Sequence, residues 1–200
     1  MRRLAFLTGV AIFGLTPSSG IVAQAPAAPP LTPFRGLVDL VSKATWPGEA
    51  NGTAYGDVHI ISGDGRYVVF ASSSNQLVPG DLNWSYDVFL RDRATGTTSR
   101  VSVPALGGEG NNASMEPAIS ANGRHVAFSS NASNLVSNDT NGWSDVFVRD
   151  LDDGRTVRVS VAANGTQGDN GSGTPAISAD GRFVAFLSNA TTFGAGTPQY

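Results

Sequence analysis

The chain has 200 residues, 40% hydrophobic and only 14% charged, with 24 glycines, 11 prolines, no cysteine and a formal charge of −3. That turn-rich balance argues against a helical bundle, stays short of disordered low-complexity composition, and predicts many short strands joined by tight turns. Twelve Arg and one Lys without a basic run weigh against a phosphate-tracking nucleic-acid binder, and the lack of cysteine removes disulfides, thiolate zinc sites, cysteine catalysis and a lipoprotein anchor.

Arg2 and Arg3 precede an apolar run from Leu4 to Leu15, too short for a stable membrane-spanning helix and of the length of an export-signal core. Cleavage after Ala23 avoids a proline just beyond the cut, so a start at Gln24 is expected, with no membrane span left after removal. Residues 1–23 therefore read as a signal peptide. Residues 24–36, with the Ala25–Pro33 run, read as an extended Pro/Ala-rich linker. A periplasmic or secreted protein is the expectation.

Residues 37–200 are organised by a repeat. The segment Ile61-Ser-Gly-Asp-Gly-Arg-Tyr-Val-Val-Phe70 returns 58 residues later at Ile119–Phe128 and again at Ile177–Phe186. Residues 61–103 and 119–161 align without a gap and share 22 of 43 positions. Each unit reads as four strands, A to D. Strand A ends at Ile61, Ile119 or Ile177, and an Asp-Gly or Asn-Gly turn able to take positive φ follows. Strand B is expected over Arg66–Ala71, Arg124–Ser129 and Arg182–Leu187, its unbroken apolar run pointing to burial on both faces. Strand C is Asp87–Asp92 and Asp145–Asp150. Strand D closes at Arg100–Val103 and Arg158–Val161, and Leu37–Ser42 resembles an additional strand D ahead of the first unit.

A four-stranded meander cannot bury both faces alone, so neighbouring copies are expected to pack face to face as β-propeller blades. Pro117-Ala-Ile-Ser-Ala-Asn-Gly-Arg124 and Pro175-Ala-Ile-Ser-Ala-Asp-Gly-Arg182, each followed by a strand ending in Ala-Phe, with the later Asp-Val-Phe-x-Arg-Asp, resemble the WD40-like, TolB-type propeller repeats of exported bacterial proteins. The resemblance covers roughly residues 37–190 and implies an all-β propeller. Blades are expected at about 57–103 and 115–161, with a partial one at 173–200. The first copy departs from the pattern with His59 in place of proline, and 58 residues exceeds the ~40–45 of a usual blade. Too few blades are present for a closed ring, so either the chain belongs to a longer propeller, or copies self-associate to complete one, or the tail covers an open end. The surplus length lies in the B–C and D–A loops, which an up-and-down blade places on one rim; that polar face is the expected binding surface.

Asp81-x-Asn83-x-x-x-Asp87 recurs as Asp139-x-Asn141-x-x-x-Asp145. Alternate carboxylates and amides on a tight loop can supply oxygen ligands to Ca²⁺; the same residues equally cap turns at a strand entry. An EF-hand fails on length, since five strand residues at ~3.3 Å each carry Asp92 roughly 16 Å past Asp87. Trp84 and Trp143 share the B–C loop one position out of register, and could either plug the gap between blades or anchor a partner. If the C–D turns are two-residue hairpins, Arg91 faces Arg100, an unfavourable pair. His59 and His125 do not correspond, so no zinc site is expected, and Glu49, Glu109 and Glu116 have no assignable acid–base partner. No catalytic or cofactor motif occurs.

The reading is an exported, non-enzymatic binding or scaffold module offering its long-loop face to a protein or glycan, as the TolB-type resemblance implies. The alternatives are the propeller portion of a larger hydrolase of prolyl oligopeptidase type, or a truncated fragment without independent function.

Overall fold

The computed structural model describes residues 10–14, 41–44, 54–55 and 60–193; His59 and Glu49, the whole 24–36 linker and most of Leu37–Ser42 lie outside them. Among the described residues there are eleven strands: β1 (Val10–Gly14), β2 (Ala54–Tyr55), β3 (Tyr67–Ser72), β4 (Asp87–Asp92), β5 (Thr97–Arg100), β6 (Ser114–Ile119), β7 (His125–Ser130), β8 (Asp145–Asp150), β9 (Thr156–Arg158), β10 (Ser172–Ile177) and β11 (Phe183–Ser188). They form two four-stranded antiparallel sheets, ordered β2-β3-β4-β5 and β6-β7-β8-β9, and a three-stranded sheet, β1-β11-β10. Strands B and C fall within one residue of their expected places, and strand A ends as expected at Ile119 and Ile177; in the first unit β2 ends at Tyr55 and Ile61 makes only an isolated bridge to Val68. Strand D is shorter than expected, ending at Arg100 and Arg158, because Val101-Ser102-Val103 and Val159-Ser160-Val161 fold into tight turns closed by an amide–carbonyl bond two residues apart. Val41-Ser42-Lys43 makes the same turn. The hydroxyl of Thr98 donates to its Lys43 carbonyl just as Thr156 donates to that of Val103, so residues 41–43 stand before the first unit as 101–103 stand before the second.

The core lies between the sheets. Val69, Val88 and Leu90 of the first unit pack with Val126, Phe128 and Phe147 of the second in one buried cluster, while Ala127, Val146 and Val148 on the opposite face pack with Val184 and Phe186 of the third. Strand B is thus buried on both faces, which is why its sequence is a continuous apolar run. Stacked ring pairs, Phe70–Phe89 and Phe128–Phe147, each at 5.8 Å, repeat in register. Neighbouring units are also tied by backbone bonds, from the Ser114 amide to the Tyr86 carbonyl and from Ser172 to Ser144. At the opposite rim, Tyr67 packs under Gly123 and His125 under Gly181 of the following hairpin. The corresponding third residue, Phe183, has no following hairpin among the described residues and is 44% exposed.

Two register details differ from expectation. The C–D connection spans four residues, 93–96, because the Asp92 carboxylate accepts the amides of Ala94 and Thr95. Arg100 therefore stands opposite Phe89, and Arg91 opposite Thr98, which removes the Arg91–Arg100 clash. The second difference is at the N-terminus. The apolar core of the expected export signal supplies β1, which pairs antiparallel with β11, Val10 opposite Leu187 and Ala11 opposite Phe186. This is the register that Val146 and Phe147 hold against Ser129 and Phe128, so β1 fills the position of a third strand C.

Candidate functional site

Each complete unit carries a buried polar clamp where its long loops leave the sheet. Asp87, the first residue of β4, has a fully buried side chain. Its Oδ1 accepts the Ser102 hydroxyl at 2.6 Å, and that hydroxyl in turn accepts the Val88 amide. Its Oδ2 accepts Arg100 Nη1 at 3.1 Å and the Asn83 side-chain amide at 3.2 Å. Arg100 Nη1 also reaches Glu109 Oε1 at 2.6 Å, and Nη2 reaches the Gly80 carbonyl. Asn83 ties the two long loops together by donating to the Gly110 carbonyl and accepting the Ser85 amide. The second unit repeats this with Asp145, Ser160, Asn141 and Arg158, the last pairing with Asp139 at 3.0 Å and Asp145 at 3.2 Å. Gln167 stands 58 residues after Glu109, and accepts from Arg158 and from the Thr140 amide as Glu109 accepts from Arg100 and the Leu82 amide.

Carboxylate oxygens of Asp81, Asp87 and Glu109 lie within 4.8 Å of one another. Burial raises the Asp81 carboxyl to about 6 and is opposed by Arg100, while the neighbouring Asp87 adds to the rise. Asp87 and Asp139 are also raised, chiefly by burial. Burial pushes Glu109 upward too, but the Arg100 hydrogen bond and the Leu82 amide outweigh it and leave it lowered. The six residues of the repeated Asp-x-Asn-x-x-x-Asp pattern are thus gathered into two clamps, with an arginine supplying the positive charge at each centre. Asn83 and Asn141 cap the loop turns, through the Ser85 and Trp143 amides.

The two tryptophans do not plug a gap between blades: Trp84 is 78% exposed and Trp143 49%. Leu82 and Leu106 are exposed as well, Leu106 completely. All four belong to B–C or D–A loops and share one rim. Trp84 has φ 55°, and the residue 58 positions later, Gly142, has φ 70°. A left-handed backbone costs a non-glycine residue about 1 kcal/mol or more, so the tryptophan sits where the repeat geometry favours glycine. This one-residue displacement explains why Trp84 and Trp143 are out of register. Of the remaining residues, Arg91 and Arg149 donate to Thr98 and Thr156, and His125 lies at the opposite rim. Glu116 sits on the β6 bulge, apart from both clamps. Sequence reasoning missed Arg100 and Arg158 as partners of the acidic pattern and Leu82 and Leu106 as surface groups. The Glu109/Gln167 correspondence at 58 residues was the available signal.

Stacked four-stranded meanders with both faces covered define an all-β protein of β-propeller blades. No protein-family model matches the chain, and no curated protein matches its sequence. Among solved structures the chain is similar to TolB from Acinetobacter baumannii, at 21% identity and a TM-score of 0.36, over 64% of this chain and 31% of that one. It is likewise similar to a putative TolB from Agrobacterium tumefaciens, at 19% identity and a TM-score of 0.37, over 64% of this chain and 40% of that one. The chain thus matches less than half the length of either. Among the described residues no helix is long and apolar enough to cross a membrane.

Proposed function

We propose that the protein is an exported, non-catalytic propeller module that binds a protein or glycan partner through its long-loop rim. The observation that carries this reading is the exposure of Leu82, Trp84, Leu106 and Trp143 together on that rim. Singly exposed apolar residues are ordinary, but large aromatic and aliphatic groups gathered on one loop face mark interaction surfaces. Retention of tryptophan at φ 55° supports the same reading, because strain held at an exposed loop tip is of the kind that serves recognition. Export rests on the sequence of the Arg2–Ala23 segment, whose removal would take β1 away from β11, and the proposed location is the periplasm or outside the cell.

The test is capture of partners from an envelope extract by the purified chain, compared with Trp84→Gly and Trp143→Ser. Trp84→Gly removes the ring while easing the backbone, so the variant stays folded. Loss of the captured species in both variants, with unchanged melting temperature, is the expected result. Undiminished capture would remove this face from consideration.

A further inference from the structure

A cleft of about 570 Å³ opens between the second and third units, on the long-loop rim, lined mainly by strand ends together with Ser144 beside Trp143. Its one charged lining residue is Glu116, and Lys, Arg and His are absent from its walls. Glu116 occupies the β6 bulge, where the register shifts between Met115 and Ala118, and has φ 54°, with Thr174 at φ 51° in the corresponding place on β10. A bulge re-aims the side chain it carries. Here it sends the carboxylate toward the next unit, where Oε2 accepts the Thr174 amide at 2.7 Å while also accepting the hydroxyl of Ser129 in its own unit at 2.8 Å. Unlike Asp87, Asp92, Glu109, Asp145 and Asp150, Glu116 pairs with no cation among the described residues. Gly173 makes this approach possible, since a Cβ there would lie 2.9 Å from Glu116 Oε2; the corresponding residue in the second unit is Met115.

We propose that this cleft binds a primary alkylammonium group, carried by a lysine side chain or by a free aliphatic amine. The carboxylate is fixed by two donors on one oxygen, which leaves Oε1 as a single charged acceptor. That suits an ammonium, a point charge with three donors, better than the planar fork of a guanidinium, which wants two coplanar acceptors. The hydroxyls of Ser129 and Ser144 line the same cleft as further acceptors. Met115 and Leu187, 37% and 47% exposed, flank it with the apolar surface along which a methylene stem packs. One carboxylate is too few for a hard divalent cation, which gathers several charged oxygens. With no aromatic residue in the lining, the stacking platform that sugars use is missing.

The experiment is a titration of the isotope-labelled 200-residue chain, followed by amide chemical shifts, with cadaverine in one arm and end-blocked Gly-Lys-Gly in the other, each to about 10 mM, which covers millimolar affinity. N,N′-Diacetylcadaverine, which carries no ammonium, is the uncharged control. Saturable shifts at Ser129, Gly173 and Thr174 with either amine are expected, tighter with its natural source, and weakened about tenfold or more by Glu116→Gln, the scale of a lost charged hydrogen bond. Gly173→Ala retains the charge but displaces the carboxylate, and weakens binding likewise. Melting temperatures confirm that both variants are folded. Absence of saturable shifts with both amines overturns the proposal, as does binding that neither variant weakens. Trp84 and Trp143 do not enter this result, so its failure is distinct from failure of the loop-face reading.

Discussion

Replacing Arg100 by leucine tests the clamp directly. The substitution leaves Asp87, whose side chain is fully buried, and Asp81, 5% exposed, without their cation. Removing one partner of a buried ion pair costs about 3–5 kcal/mol, because the stranded charge has no compensation. For a chain of this size that lowers Tm by roughly 2–4 °C per kcal/mol, so a fall on the order of 10 °C at pH 7.5 is expected. The pH dependence supplies an independent check. Asp81 is raised from 3.8 to about 6 in the folded state. The native protein thus binds this proton more tightly than the unfolded chain, so the destabilisation from ionising Asp81 builds as pH rises from about 4 through about 6 and is fully present above that. Lowering pH from 7.5 toward 5 therefore relieves the wild type modestly. It relieves Arg100→Leu more, since loss of Arg100 raises Asp81 and Asp87 further. Circular dichroism melts at both pH values read the two effects. A loss below about 1 kcal/mol, or one that stays constant with pH, would refute the assignment of Arg100 as the counter-charge.

Two further outcomes follow from the same coordinates. Gly181→Ala places a Cβ 2.3 Å from His125 Nδ1 at φ +76°, and should cost about 2–4 kcal/mol from combined backbone strain and overpacking; urea denaturation measures it, and a neutral result would mean the hairpin does not seat on His125. With Arg100 and Arg158 neutralising both acidic patterns, a chelator should leave Tm unchanged; a rise of several degrees on adding millimolar Ca²⁺ would show that the ion displaces arginine.

The architecture was legible because every hairpin restates its own period. Asp64-Gly65, Asn122-Gly123 and Asp180-Gly181 mark the A–B turns, and the doubly buried run of strand B betrays a sheet covered on both sides. The clamp was half legible. Asp81, Asn83 and Asp87 stand out by repetition, but their cation lies on strand D, and its position depends on the C–D register. That register was two residues off, because Asp92 captures the Ala94 and Thr95 amides and lengthens the turn. A slip of two keeps every side chain on its face, so the hydrophobic pattern could not reveal it. The exposure of the tryptophans was hidden for another reason: ring burial depends on the packing of loops from two units, which no local pattern encodes.

The 58-residue period has a consequence for how the chain comes apart. Ser114 binds Tyr86, Ser172 binds Ser144, and the hairpin amide of Gly63 binds Ala121, so each unit is secured by the units beside it. Stability of this kind adds along a line, one unit and one junction at a time. The β6-β7-β8-β9 sheet, packed against units on both faces, is then expected to exchange its amide protons more slowly than any sheet packed on one face alone. Because each junction repeats its neighbour's geometry, gain or loss of one whole unit leaves the remaining junctions as they were. Length in such a chain changes by whole units, while an insertion of any other size must be absorbed in a loop.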